Sequence, residues 1–379
     1  MENRQHKKGY PTPFSIHPIC PKHTHTFIVL HGRGSNGERF GCELLDSVNL
    51  RARLPTVKFV FPTASKRRST VLKKIPINQW FDNYCLDDPN QRTDLQVEGL
   101  METAQFLREL INNEAHILSD GTGESGYRRV ILGGLSQGCA AAVFTLLGGG
   151  IGESGNERPG AFFGMSGWLP FEKQLNSMMN VDGIINDSDD EKEADGLDHQ
   201  DSEHDGDGKE ESEENESSDD DEEDEEDEEI DDRSDIDRAN SISFSDAESD
   251  AFVLHTEDNF ASFDPFRSDA QEDSERGTRS SITDALNHVR DILDLEPIFI
   301  SETFPTLQTP IFLGHGSADP KVSVHLGDKM VELLSKRLEM DVTWKAYEGF
   351  GHWYKVPDEI DDVLDFLRQN VGLPVVDAS

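Results

Sequence analysis

Short segments that are apolar on both faces of an extended backbone recur along this chain, and they limit its fold more than any other feature. They fall at 26–30 (TFIVL), 57–61 (VKFVF), 130–132 (VIL), 162–165 (FFGM), 310–313 (PIFL) and 342–347 (VTWKAY). A strand with one wet face alternates apolar and polar residues, whereas one covered on both faces does not. Helical patterns lie between these segments. Leu95, Val97, Leu100, Met101, Ala104, Leu107, Leu110 and Ile111 repeat close to every 3.6 residues across 95–118. Residues 138–147 are small and apolar, as in a helix packed inside, and 324–338 and 359–367 are amphipathic. Alternating strands and helices predict an α/β fold with a doubly wound, mostly parallel sheet. Residues 14–16 carry a weak signal for an antiparallel edge pair.

The pattern is interrupted once. Residues 187–232 hold 29 Asp or Glu and two Lys, including the unbroken run DDDEEDEEDEE at 219–229. This segment alone carries −27 of the net charge of −41, and the other 333 residues carry −14. Like charges repel and almost nothing is available to bury, so chain entropy wins there. The Ser/Asp-rich residues 233–280 are read the same way, with order resuming near Ser281, where Ile282, Leu286, Val289 and Leu293 have helical spacing and Ser280 or Ser281 is placed to cap. The expected organisation is therefore 1–180 as the first part of one domain, 181–280 as a disordered acidic insertion, and 281–379 as the second part. Lengthening a flexible surface loop costs only roughly 0.6 kcal/mol per doubling, so one domain tolerates such an insertion.

The chemistry concentrates where Val130-Ile131-Leu132 runs into Gly133-Gly134-Leu135-Ser136-Gln137-Gly138 and then into the helical pattern. Strand, G-x-S-x-G, helix is the nucleophile elbow, in which a serine on a strained turn projects its hydroxyl above the sheet. The flanking glycines let strand and helix approach that turn. A serine hydroxyl needs a base, and in this arrangement the acid and then the histidine follow in the chain. His352, in the loop Gly349-Phe350-Gly351-His352 after the sixth strand, is the candidate base; His325 falls inside a helical pattern and reads as a surface residue. Asp319, in Gly314-His315-Gly316-Ser317-Ala318-Asp319 after the fifth strand, is the candidate acid, with His315 a structural residue of the glycine-rich turn. A developing oxyanion needs donors. The N–H of Gln137 directly follows the nucleophile, and the N–H of Arg33 lies in the loop His31-Gly32-Arg33-Gly34-Ser35-Asn36-Gly37 after the first strand.

Taken together and in order, LHGRGSNG, QWFD, GGLSQG, GHGSADP and EGFGHW resemble the acyl-protein thioesterase, carboxylesterase and lysophospholipase family of α/β-hydrolases, over roughly 25–175 and 305–370. The resemblance implies the α/β-hydrolase fold, hydrolysis of ester or thioester bonds of acyl groups, and no cofactor or metal. Substrates of that class are small esters, lysophospholipids and S-acylated proteins. It also implies nucleophile Ser136, acid Asp319, base His352, oxyanion donors Arg33 and Gln137, and an acyl pocket shaped by Trp80, Phe81 and Trp168. Many members carry an apolar residue where Arg33 stands and Asp where Ser35 stands.

Charge supports a second reading, in which a hydrolase fold binds basic proteins through its acidic arm. Ser217, Ser218 and Ser245 each have an acidic residue three positions on, as acid-directed kinases require. Nucleic-acid binding is disfavoured by the sign of the charge. No apolar run approaches the ~20 residues of a membrane span, and neither a secretory signal nor a lipidation motif is read. Cys20, Cys42, Cys85 and Cys139 are widely spaced, as expected of reduced thiols in the cytoplasm or nucleus.

Overall fold

The computed structural model describes residues 9–119, 125–179, 269–299 and 304–376. The acidic stretch 187–232 and the serines 217, 218 and 245 lie outside the described residues, as does most of the expected insertion.

Nine strands are formed among the described residues: β1 (Phe14–Ile16), β2 (His25–Leu30), β3 (Val57–Phe61), β4 (Lys66–Ser69), β5 (Ile75–Asn78), β6 (Val130–Leu135), β7 (Ala161–Met165), β8 (Ile311–Gly316) and β9 (Val342–Tyr347). Seven of them make one sheet in the order β1-β3-β2-β6-β7-β8-β9, and β4 and β5 form a separate antiparallel hairpin. Every pairing in the large sheet is parallel except β1 with β3, where Phe14 faces Phe61 and Ile16 faces Phe59. The weak edge signal at 14–16 is thus a real antiparallel edge strand. Strands β7 and β8, on either side of the acidic stretch in sequence, pair directly, with Phe162 opposite Ile311 and Met165 opposite Gly314.

Among the described residues eight α-helices accompany the sheet: α1 (Gly37–Ser47), α2 (Leu50–Arg53), α3 (Val97–Leu118), α4 (Gln137–Gly148), α5 (Glu172–Met179), α6 (Asp269–Ile292), α7 (Val324–Glu332, continued by a π-turn over Leu333–Arg337) and α8 (Asp358–Val371). They bury both faces of the sheet. Ile28 and Leu30 of β2 join one core with Leu107, Ile111 and Phe144, while Phe27 and Val29 of the same strand join the other with Phe40 and Leu364. Successive side chains of a strand point to opposite faces, so a strand apolar at every position feeds two cores at once.

Helix α6 corrects one boundary. It begins at Asp269, twelve residues ahead of Ser281. Ser281 is not its cap: its hydroxyl donates to the carbonyl of Gly277 at 3.0 Å, and Thr283 does the same to Arg279 at 2.8 Å. Both hydroxyls sit inside the helix and bond back to the preceding turn. Beyond that turn, Ala285, Leu286, Val289 and Leu293 are buried, and the Arg290 guanidinium donates to the carbonyl of Gly148 at the end of α4. The far half of α6 is thereby anchored to the helix that follows Ser136.

Candidate active site

Strand β6 passes into α4 at Ser136, whose backbone has φ 55° and ψ −122°. Few residues other than glycine occupy this region, and holding one there costs roughly 1–3 kcal/mol. The surroundings enforce the turn. The Ser136 N–H donates to Met165 O at 2.9 Å, and the Ser136 carbonyl accepts from Ala140 N–H at 3.1 Å. A Cβ on Gly138 would lie 2.5 Å from the carbonyl oxygen of Leu30, and one on Gly134 would lie 2.5 Å from the carbonyl carbon of Gly138. Glycine is required at both places because backbone meets backbone there.

The candidate acid and base converge on this serine. His352 Nε2 is 3.0 Å from Ser136 Oγ, and its Nδ1 is 2.7 Å from Asp319 Oδ2. Asp319 Oδ1 accepts from the N–H groups of Lys321 at 2.8 Å and Val322 at 3.0 Å. Buried His315 stands behind it, with Nε2 2.9 Å from Val322 O and 3.3 Å from Asp319 Oδ2. A ring nitrogen that near a carbonyl oxygen carries the proton, so His315 donates toward the carbonyl and the carboxylate together. Burial works against charge on Asp319. The hydrogen bonds from His315, His352 and the two backbone N–H groups outweigh it and hold the carboxyl well below the usual carboxylate range. His325 lies on the surface of α7, as its helical setting predicts.

The loop after β2 closes the other side. Burial pushes His31 down to about 4, against the opposing bond to Gly32, so the ring is neutral near pH 7. Its Nε2 accepts from Ala64 N–H at 3.0 Å, which puts the proton on Nδ1, 2.6 Å from Gly32 O. Gly34, at φ +83°, donates its N–H to Asn78 O at 2.8 Å, and the Asn78 side chain donates to Ser35 O at 2.9 Å. The β4–β5 hairpin therefore clamps the loop that carries Arg33. The backbone N–H groups of Arg33 and Gln137 have no acceptor among the described residues.

A cavity of about 400 Å³ opens over Ser136 and His352, with Leu86, Trp168 and Trp353 among its apolar walls. Trp168, one of the three aromatics implied for an acyl pocket, lines it. Trp80 and Phe81 do not line it, and both are fully buried. The Trp80 indole donates to His31 O at 2.8 Å, and its backbone N–H donates to Gln137 Oε1 at 3.0 Å. Gln137 Nε2 in turn donates to Phe81 O at 2.8 Å and Asn83 Oδ1 at 2.9 Å. Phe81 meets Trp168 edge-on, with ring centroids 6.1 Å apart. These two aromatics thus tie the loop of Arg33 to the start of α4 rather than walling the cavity. Asp82 accepts from Thr70 through both its backbone N–H and its hydroxyl, and so holds the hairpin turn. The supporting side chains of Asn78, Asn83 and Gln137 gave no signal in the sequence.

A mostly parallel sheet, a serine at the strand–helix elbow and an acid–imidazole pair on loops after β8 and β9 define an α/β-hydrolase. The profile of the phospholipase/carboxylesterase family matches residues 13–185 and 292–371, and the chain belongs to this family of ester and thioester hydrolases. Acyl-protein thioesterase 1 of Yarrowia lipolytica is 30% identical over 173 residues, which cover 45% of this chain and 69% of that protein. Acyl-protein thioesterase 1 of Schizosaccharomyces pombe is 28% identical over 160 residues, covering 42% and 62%. The chain thus spans about two thirds of the length of these relatives. The crystal structure of Zea mays acyl-protein thioesterase 2 shares the fold, with a TM-score of 0.52 and 19% identity, over 96% of this chain and 100% of that one. No helix among the described residues is long and apolar enough to cross a membrane.

Proposed function

We propose that Ser136, His352 and Asp319 form the catalytic triad of a hydrolase that cleaves carboxylic ester or thioester bonds of acyl groups. The observation that carries this reading is the unbroken chain of contacts from Ser136 Oγ through the imidazole to Asp319. His352 Nε2 takes the hydroxyl proton as the serine oxygen attacks the acyl carbon, then returns it to the departing alcohol or thiol. Water repeats the sequence on the acyl-enzyme and frees the acid. Asp319 stays ionised, keeps the Nδ1–H tautomer and stabilises the imidazolium. The backbone N–H groups of Arg33 and Gln137 are the oxyanion donors in this reading; losing one such donor typically costs about 10²–10³ in rate.

The names of the relatives support acyl groups carried on protein thiols as one substrate class, and the family description supports small carboxylic esters and phospholipids. The apolar walls around Trp168 suit an acyl chain. Four free cysteines fit a reducing compartment, so the cytoplasm is the proposed location. A chain-length series of matched p-nitrophenyl esters and acyl thioesters, run on wild type and Ser136→Ala, tests the assignment. Hydrolysis should fall at least about a thousandfold in the variant. Undiminished turnover in Ser136→Ala would remove the serine from the mechanism.

A further inference from the structure

Among the described residues, the walls of the cavity over Ser136 carry two cations, Arg33 and Lys321, and no carboxylate. This is unexpected in a chain of net charge −41. Neither cation forms an ion pair among the described residues. Arg33 is only partly exposed, and among the described residues its guanidinium has one hydrogen-bond partner, Ser69 Oγ, at 3.5 Å. Burial pushes that guanidinium below its ordinary value, and Asp82 pulls the other way. Asp82 itself is bonded to Thr70 and lies 3.8 Å from Lys74. A partly desolvated cation without a counter-charge is a cost to the fold unless an anion comes to it.

The two cations reach the cavity from different loops. Arg33 follows β2 and Lys321 follows β8, and in the sheet order Ser136 stands at the end of β6, between those strands. Lys321 is fixed at its backbone, where its N–H donates to Asp319 Oδ1, while its side chain is exposed and free to bend.

From this arrangement we propose that the substrate carries a compact anionic group, a carboxylate or a phosphate, which the side chains of Arg33 and Lys321 hold inside the cavity beside Ser136. The inference rests on the hydrolase reading and narrows its substrate class. Guanidinium and ammonium groups form charge-assisted hydrogen bonds with either anion, so the chemistry on the page is shared between the two. The anion can sit on the acyl side of the scissile bond or on the leaving group.

The test uses the full chain and two matched pairs. One is 4-methylumbelliferyl hemiadipate against its methyl-capped ester, which places a carboxylate on the acyl side. The other is 1-acyl lysophosphatidate against the 1-monoacylglycerol of the same chain, which places a phosphate on the leaving group. In at least one pair, the anionic member should have a kcat/KM at least about tenfold higher. That ratio should collapse toward one in Lys321→Met and in Arg33→Leu, and be partly restored in Arg33→Lys. Reading the ratio within each variant cancels any general loss of activity, and Lys321→Met covers the case in which the Arg33 variant folds poorly. Preference in the first pair alone puts the anion on the acyl group, and in the second alone on the leaving group. A ratio at or below one in both pairs, or one unmoved by either substitution, overturns the proposal. If wild type cleaves neither member, the hydrolase reading fails separately. The anion proposal is then read by titrating the adipate pair into Ser136→Ala, where equal affinities overturn it and at least tenfold tighter binding of the hemiadipate supports it.

Discussion

Asp319 meets His352 with one carboxylate oxygen, Oδ2, at 2.7 Å, and keeps the other for the backbone N–H groups of Lys321 and Val322. The carboxylate is thereby held by backbone as well as by the imidazole. Asp319→Asn should lower kcat by about 10⁴-fold, because the amide no longer favours the Nδ1–H tautomer of His352. His352→Ala should cost at least as much. Steady-state kinetics on a short p-nitrophenyl ester check both.

The same bonds make a stability prediction. The folded state holds the Asp319 carboxyl below its ordinary 3.8, so its ionised form stabilises the fold. That contribution is complete above the ordinary carboxylate range and is lost as pH falls through and below it. The stability gap between wild type and Asp319→Asn should therefore be wide at neutral pH and close in acid, as read from chemical denaturation at several pH values.

Ser136 is held at φ 55°, a conformation glycine adopts freely. Ser136→Gly should unfold at a higher temperature than Ser136→Ala, since both lose the hydroxyl and only glycine relieves the strain. The expected difference is about 1–3 kcal/mol. Equal melting temperatures would mean the elbow is not strained.

The Gln137 side chain has a structural task of its own. Its side-chain amide bonds Trp80 N–H, Phe81 O and Asn83 Oδ1, all buried. Gln137→Leu leaves these partners unsatisfied while keeping the backbone N–H. Each orphaned group costs about 1–3 kcal/mol, so a large loss of stability is expected by calorimetry, with kcat reduced through the displaced loop.

Glu359 lies in the first turn of α8 with one oxygen bonded to Lys355 N–H at 2.9 Å and the other without a partner among the described residues. Burial raises its carboxyl from 4.5 to about 8. A folded value above the unfolded one means the native state binds the proton more tightly, so stability from this group is full below about 4.5 and declines up to about 8. Glu359→Gln should raise the melting temperature at pH 8 and change it little at pH 5.

The sheet was legible because strands such as 26–30 and 130–132 are apolar at every position, and few other folds use such strands. The edge strand β9 carries polar Thr343 and Lys345 between apolar residues, and its burial alternates over Val342 to Lys345, because an edge packs less on one face. The β4–β5 hairpin escaped notice for a physical reason. Lys66-Arg67-Arg68-Ser69 offers no apolar alternation, and its role is to hold the loop of Arg33 by backbone and amide bonds. That Ser136, His352 and Asp319 come together was legible from where each stands, at the elbow after β6 and on the loops after β9 and β8. The resemblance implies an acyl pocket shaped by Trp80 and Phe81, yet neither lines the cavity over Ser136. Their polar contacts decide this: an indole N–H seeking a carbonyl is drawn under the loop, and sequence does not show which way a ring turns.

The most direct measurement is labelling of the folded, full-length protein by a fluorophosphonate, with the modified residue mapped by peptide mass spectrometry. The account predicts one adduct on Ser136, absent from Ser136→Ala and strongly slowed in His352→Ala. A folded wild type that stays unlabelled, or an adduct elsewhere with Ser136 unmodified, would contradict it.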